Sequence, residues 1–331
     1  MGSIRAWALL ESPGDYTFTD VREPEPGLGE VRVDVLVSAL NHLDLWLRQG
    51  LPKPKAFPMV PGCDGAGRVA AVGEGVSRWQ VGDEVVINPS FACGRCPECL
   101  GDRSVFCAKW GIMGEHYWGS HCQSVVAGEA NLVRKPPGLS WEEAGAYGLC
   151  GLTAYRMLRR ARLAAGETVL VVGAGGGVAT AAIGIGQRLG GRVFATSREP
   201  AKCRRAIEMG AVDAFVSRGD AVPVKADVVV DSAGSPTWSL SMRALKPGGR
   251  LVTCGGTGGV QVEVNLARLF LSQHEVIGST MGTFREFDEL TALVTNGLPV
   301  VVDHVYDLED YPKALERLDS GAQFGKVVLR H

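Results

Sequence analysis

The chain has 331 residues, 34 basic and 36 acidic side chains, a net charge of −2 and 46% apolar residues, which suits two domains with well-filled cores. It carries no basic tail or stripe, so nucleic acid is not an expected partner, and its first apolar stretch, Ala6–Leu10, is too short for a signal peptide. Nine cysteines without an export signal read as metal ligands and reduced thiols of a cytoplasmic protein.

In chain order, Ala6–Leu10, Glu30–Ala39, Ala66–Val72 and Glu84–Asn88 are β-rich segments punctuated by Pro and Gly. The one helix expected among them is His42–Arg48. Next come Cys93, Cys96, Cys99 and Cys107, at separations of three, three and eight. Such C-x-x-C steps let four thiolates converge tetrahedrally on one zinc, and four protein ligands leave no open position. The expected role is therefore structural, with an iron–sulfur cluster as the rarer alternative. Trp110–Trp118 is an aromatic loop carrying His116, and Gly119–Ala127 returns to strand character. Ser140-Trp-Glu-Glu143 is a capping-box helix start, and a second helix is expected from about Thr153 to Arg162.

Thr168–Gly191 is the most organised stretch. Thr168–Val172 is wholly apolar and β-branched apart from Leu170 and Thr168, as in a strand buried on both faces. Glycines 173, 175, 176 and 177 follow, then Val178, Ala181, Ala182, Ile185 and Leu189 at helical spacing. Strand, glycine turn and helix make a phosphate cradle, expected at Gly175, Gly176, Gly177, Val178 and Ala179. Val169–Gly186 is also uncharged and long enough for a membrane span, but its glycine cluster would break such a helix, so no membrane is expected. The next strand, Arg192–Thr196, ends without the Asp or Glu that would accept from an NAD ribose. Ser197, Arg198 and Lys202 suit a 2′-phosphate, so NADP(H) is the expected cofactor, with Glu199 an unwelcome neighbour.

The α/β alternation continues. Helices are expected at Pro200–Met209, Ser235–Leu245, Asp288–Asn296 and Pro312–Ser320, with Lys246-Pro-Gly-Gly249 stopping the second. Strands are expected at Ala214–Ser217, Asp227–Asp231, Arg250–Cys254, Glu275–Gly278 and Lys326–Arg330.

Taken together the chain resembles the medium-chain dehydrogenase/reductase superfamily, the zinc alcohol dehydrogenase and quinone reductase group. The carriers are Gly62-Cys-Asp-Gly-Ala-Gly67, Ala71-Val-Gly-Glu-Gly-Val76 with Val81-Gly-Asp-Glu-Val85, the four-cysteine loop, Leu152-Thr-Ala154, the glycine cradle and Phe324-Gly-Lys-Val-Val-Leu329. The resemblance implies an α/β fold: a GroES-like β-barrel catalytic domain over 1–150 and 282–331, with an inserted Rossmann doubly wound parallel-sheet domain over 151–281. It further implies an active site in a cleft, a homodimer or homotetramer paired through Leu251–Met281, and a small-molecule substrate. Thr153, Cys254, Gly255 and Lys326 match positions near the nicotinamide.

The departures from the family are informative. Its catalytic zinc ligands are Cys, His and Cys; the matching positions are Asn41, Cys63 and Cys150. An amide oxygen competes badly with thiolate or imidazole for zinc. The family's proton-relay Ser or Thr is Leu43, which carries no proton. Two mechanisms follow. In one there is no catalytic zinc, NADPH gives hydride to an activated C=C or quinone, and His42 and His116 are the candidate proton donors. In the other, Cys63, Cys150 and a carboxylate, Asp64 or Asp44, hold a zinc that polarises an alcohol or aldehyde oxygen. A non-catalytic NADPH-binding protein is the remaining alternative. Trp46, Trp110 and Trp118 are the expected pocket walls.

Overall fold

The computed structural model describes residues 2–217 and 224–331. The chain divides into two compact units: Met1–Leu149, Gly282–Thr295 and Val302–His331 form the first, Cys150–Met281 and Asn296–Val301 the second.

The first unit is built on a seven-stranded sheet. Its centre is the long strand Glu30–Ala39, whose valines at 31, 33, 35 and 37 are all buried. Asp64–Val72 lies antiparallel on one side of that strand, and Lys326–Arg330 and Ser124–Gly128 pair antiparallel along the other at different heights. The registers bring Ala39 opposite both Asp64 and Val328. Leu40 then donates its N–H to Val327 O at 2.9 Å. One corner of the sheet therefore gathers the end of the central strand and the beginnings of two others, and Asn41, Asp64 and Lys326 are the polar residues found there. Beyond it the chain enters the helix His42–Arg48, as its apolar spacing predicts.

The second unit holds a six-stranded parallel sheet in the order Asp213–Val216, Arg192–Ser197, Thr168–Val172, Ala226–Asp231, Leu245–Thr253, Glu275–Gly278. All five residues of Thr168–Val172 are buried, as an apolar run in mid-sheet must be. Chain direction across the sheet reverses between Thr168–Val172 and Ala226–Asp231, the switch point outside which doubly wound sheets bind ligands. The uncharged run 169–186 divides into that strand and the helix Gly177–Arg188. Among the described residues no helix is long and apolar enough to cross a membrane.

Several elements depart from the expected bounds for physical reasons. The helix expected from Thr153 begins at Gly148, because the Asp64 carboxylate accepts the Leu149 N–H at 2.5 Å and caps its first turn from a distant strand. A Cβ on Gly148 would lie 2.6 Å from that same carboxylate oxygen. Strand pairing after the aromatic loop starts only at Ser124, since the N–H groups of Gly119, Ser120 and His121 go to the carbonyls of Val60, Gly62 and Pro61. Lys246–Gly249 lies inside the strand Leu245–Thr253, where the register with Ala226–Asp231 shifts between Ala226 and Val228.

Candidate active site and metal centre

Lys326 is 5% exposed and surrounded by oxygen: its ammonium donates to Leu40 O at 2.7 Å, Asn41 Oδ1 at 2.7 Å and Asp64 Oδ2 at 2.8 Å. The Asn41 amide in turn donates to Asp64 Oδ2 at 3.0 Å and to Ala39 O at 3.3 Å. With Leu149 N–H on its other oxygen, the fully buried Asp64 has charge-assisted partners on both sides. A buried carboxylate needs such company, and here a covalently attached cation supplies it.

Asp44 sits at the third position of the helix His42–Arg48 and takes the Asn41 N–H on Oδ2 at 2.7 Å. It is fully buried. Cys63, next to Asp64, packs with Leu43 and Leu47, flanked by Trp46, Ile112 and Leu149. Burial first, then the charges of Asp44 and Asp64, push its thiol well above the ordinary value. Burial, and next the Lys326 charge, lower the His42 pKa, so this half-buried imidazole is neutral near pH 7 and offers an N–H rather than an imidazolium proton. His116 accepts the Ile112 N–H on Nδ1 at 3.2 Å, with Glu115 at 3.6 Å. Of the three tryptophans expected as pocket walls, Trp46 lies against Cys63, Trp110 donates to Ser90 Oγ, and Trp118 donates to Pro58 O.

The four-cysteine loop has the opposite character. The sulfurs of Cys93, Cys96, Cys99 and Cys107 all lie within 4.8 Å of one another, and they are the one group of metal-competent side chains found among the described residues. Four sulfurs at about 2.3 Å from a tetrahedral centre would be about 3.8 Å apart; Cys93 and Cys99 are 3.9 Å apart, Cys96 and Cys99 3.6 Å. The backbone N–H groups of Arg95 and Cys96 draw the Cys93 thiol down to about 6, while burial and then the Cys96 thiol hold Cys99 up at about 12. Four crowded thiols of this kind fit a zinc ion, which would be held by all four and left without an open position.

In the second unit the turn after Thr168–Val172 is shaped as the glycines require. Gly173 and Gly175 have φ of 82° and 129°, which disfavour side chains, and a Cβ on Gly173 or Gly176 would meet nothing within 4 Å. That open space faces the start of the helix Gly177–Arg188, where Gly176 is the N-cap and Val178 and Ala179 lie in the first turn. A helix start with this clearance is the kind of place where backbone N–H groups can hold a pyrophosphate. Lys202 crosses the turn: a Cβ on Gly175 would lie 2.7 Å from its Cδ. Its ammonium pairs with Glu199 Oε1 at 2.8 Å. Ser197 closes its strand and accepts the Glu199 N–H, while Arg198 is exposed. Cys150 and Thr153 lie one turn apart on the helix Gly148–Arg160 and are buried. Burial, then the Cys150 and Asp231 charges, raise the Cys254 thiol to about 12, so these three groups share one region beside Gly255.

Family models match both parts of the chain: the alcohol dehydrogenase GroES-like domain over residues 27–137 and the zinc-binding dehydrogenase over 202–329. An acryloyl-coenzyme A reductase of Metallosphaera sedula is 31% identical, with 95% of this chain and 96% of that protein aligned. The chain belongs to the medium-chain dehydrogenase/reductase superfamily. A quinone oxidoreductase of Pseudomonas aeruginosa is 30% identical over 98% of both chains. Among solved structures, an NAD-dependent alcohol dehydrogenase superposes with a TM-score of 0.93 at 39% identity, over 99% of both chains. Membership makes the protein an oxidoreductase, and with the four-thiol cluster it supports a pyridine nucleotide and a zinc.

For this dehydrogenase/reductase, sequence reasoning missed two features. One is Asp231, which ends the switch-point strand and accepts from the N–H groups of Ala233 and Gly234 and the hydroxyls of Thr237 and Ser241. Its signal was an Asp ending an apolar run three residues before a Gly. The other is the pairing of Lys326 with Asp64, across 262 residues of sequence, for which no local signal exists.

Proposed function

We propose that this protein is an NADP(H)-dependent reductase of activated C=C bonds or quinones, with one structural zinc and none in the reaction. The Asp64–Lys326–Asn41 cluster carries this reading. The carboxylate beside Cys63 is already balanced by an ammonium at 2.8 Å, and the Asn41 oxygen that would face a metal accepts from the same ammonium. Cys63 itself is seated among apolar side chains with its thiol held protonated. A dication placed among these groups would meet a cation and an amide oxygen already engaged by it. The reductase relatives named above act on an acryloyl thioester and on quinones, substrates that accept hydride without a metal.

Bound nicotinamide supplies the hydride. The chain supplies orientation: the amides at Gly176–Ala179 hold the pyrophosphate, and Ser197, Arg198 and Lys202 hold the 2′-phosphate once Lys202 exchanges Glu199 for it. Thr153, Cys254 and Gly255 border the nicotinamide. Asn41, His42 and Cys63 border the substrate, and the neutral His42 N–H is the donor to a developing enolate. We further propose a homodimer or homotetramer. The edge strand Glu275–Gly278, with its exposed Val276, and the exposed Leu266, Phe270 and Leu271 of the helix before it form the pairing face.

The similarity to an NAD-dependent alcohol dehydrogenase favours a second reading, oxidation of an alcohol at a zinc held by Cys63, Cys150 and a carboxylate. Elemental analysis of protein purified without chelator separates the two. One zinc per chain, unchanged in Cys63→Ser/Cys150→Ser, with NADPH consumed by enones or quinones, is the expected result. Two per chain, falling to one in that variant, with activity on alcohols, overturns it.

A further inference from the structure

His121 and Asp44 are both fully buried, and their facing atoms, Nε2 and Oδ1, are 3.7 Å apart with no hydrogen-bond partner among the described residues. Neither group belongs to the family's zinc positions, and nothing in the reaction proposed above uses them. The surroundings fix what the imidazole must carry. A carboxylate oxygen only accepts, so His121 Nε2 bears the hydrogen; otherwise two lone pairs would face each other out of water. In the tautomer with its hydrogen on Nε2, Nδ1 is an acceptor, and Ser38 Oγ, at 2.9 Å, donates to it. That leaves the Ser38 oxygen to accept from His331 Nε2 at 2.8 Å. Burial lowers the His331 pKa to about 3, which agrees with a neutral donor there. In that tautomer the polar chain has one direction: His331 to Ser38, Ser38 to His121, His121 toward Asp44. Asp44 passes the constraint on, since its other oxygen holds the Asn41 N–H at 2.7 Å.

We infer that His121 is a positioning residue that fixes the backbone of Asn41 through Asp44, while Lys326 fixes the Asn41 amide. Asn41 is held from two sides by two separate networks, both anchored on the last strand and the residue after it, Lys326–Arg330 and His331. The Asp44–His121 gap is wider than a hydrogen bond, so the contact acts by electrostatic attraction and by filling space beside the Tyr311 ring, 4.8 Å from His121. The link to turnover rests on the reading that Asn41 borders the substrate.

The test uses zinc-loaded protein with NADPH bound. Amide hydrogen exchange at Asn41 is followed by NMR in wild type, His121→Ala and His121→Gln, the last retaining a side-chain N–H. Exchange at Asn41 should rise about tenfold in His121→Ala, stay unchanged at Val33 in the central strand, and recover in His121→Gln. In parallel, His121→Ala should lower kcat for an enone about tenfold with the KM for NADPH unchanged, and should add nothing in an Asn41→Ala background. Unchanged exchange at Asn41, or the same fold-loss with and without Asn41, overturns the inference. If Asn41→Ala leaves kcat unchanged, the functional reading of Asn41 fails, while the exchange result still decides the positioning role. Should His121→Ala not fold, Ser38→Ala, which removes the donor to Nδ1, takes its place with the same expectations.

Discussion

Two regions of the first unit carry thiols where the superfamily carries metals, and they are built on opposite electrostatic plans. In the loop 93–107 four sulfurs converge to within 4.8 Å, and among the described residues no lysine or arginine side chain hydrogen-bonds to them. Around Asn41 and Cys63 the anion is a carboxylate, and Lys326 already sits on it. The contrast teaches that a metal site is defined less by its donor atoms than by whether the fold has left their charge unbalanced. In the loop, balance must come from an added ion; around Asp64 the chain provides it.

The sharpest way to break this comparison is to remove a thiol from each region. Structural zinc contributes on the order of 10 kcal/mol to small metal domains. Cys96→Ser is therefore expected to lose the bound zinc and to lower the melting temperature by roughly 10 °C or more, read by elemental analysis and calorimetry. Cys63→Ser, in its apolar seat, should keep the zinc. Equal zinc content in both variants would mean that the loop is not the metal site.

The second region is probed through its cation. Lys326→Met strands a buried carboxylate and should cost about 3–5 kcal/mol in denaturant unfolding. Replacing both partners, Lys326→Met with Asp64→Leu, should recover most of that loss, because the stranded Asp64 charge is removed with its cation. The single variant also examines the proposed mechanism: supplied with zinc, it should still hold one ion per chain. A second ion entering when the ammonium leaves would show that Lys326 competes for a true metal site.

On the second unit, Arg198→Asp should raise the KM for NADPH by about one to three orders of magnitude and leave zinc content and stability unchanged. An unchanged KM would remove Arg198 from the 2′-phosphate site and leave Glu199, already bonded to Lys202, as the feature that decides cofactor choice.

These regions were not equally legible in the sequence. The thiol loop and the glycine cradle were, since spacing along the chain is itself the geometry: C-x-x-C sets sulfur separation, and glycine at 173 and 175 sets the turn. The helix His42–Arg48 was legible from its apolar spacing. Asn41, Cys63 and Cys150 could be singled out only by resemblance, and nothing local revealed that the Lys326 ammonium would be buried against Asp64. His121 was hidden in a stretch read simply as strand. Its partners Ser38, Asp44 and His331 come from three other segments, joined only when the sheet registers form. Long-range polar pairing leaves no periodic trace in sequence, whereas local motifs do.

A local motif far from both sulfur regions provides the smallest effect and the control for the rest. Ser140 caps the short helix Trp141–Ala144: its hydroxyl accepts the Glu143 N–H at 3.1 Å, and the Glu143 carboxylate accepts the Ser140 N–H at 3.0 Å. Ser140→Ala removes one of these reciprocal bonds and should cost about 1 kcal/mol, roughly 1–3 °C in a chain of this size. Both Ser140 and Glu143 lie at the surface, so no buried group is stranded. Zinc content and the KM for NADPH should not move. If either moved with so small a loss of stability, the metal and cofactor readouts would be reporting general loosening of the fold, and the large effects expected at Cys96, Lys326 and Arg198 could not be assigned to charge balance at their own sites.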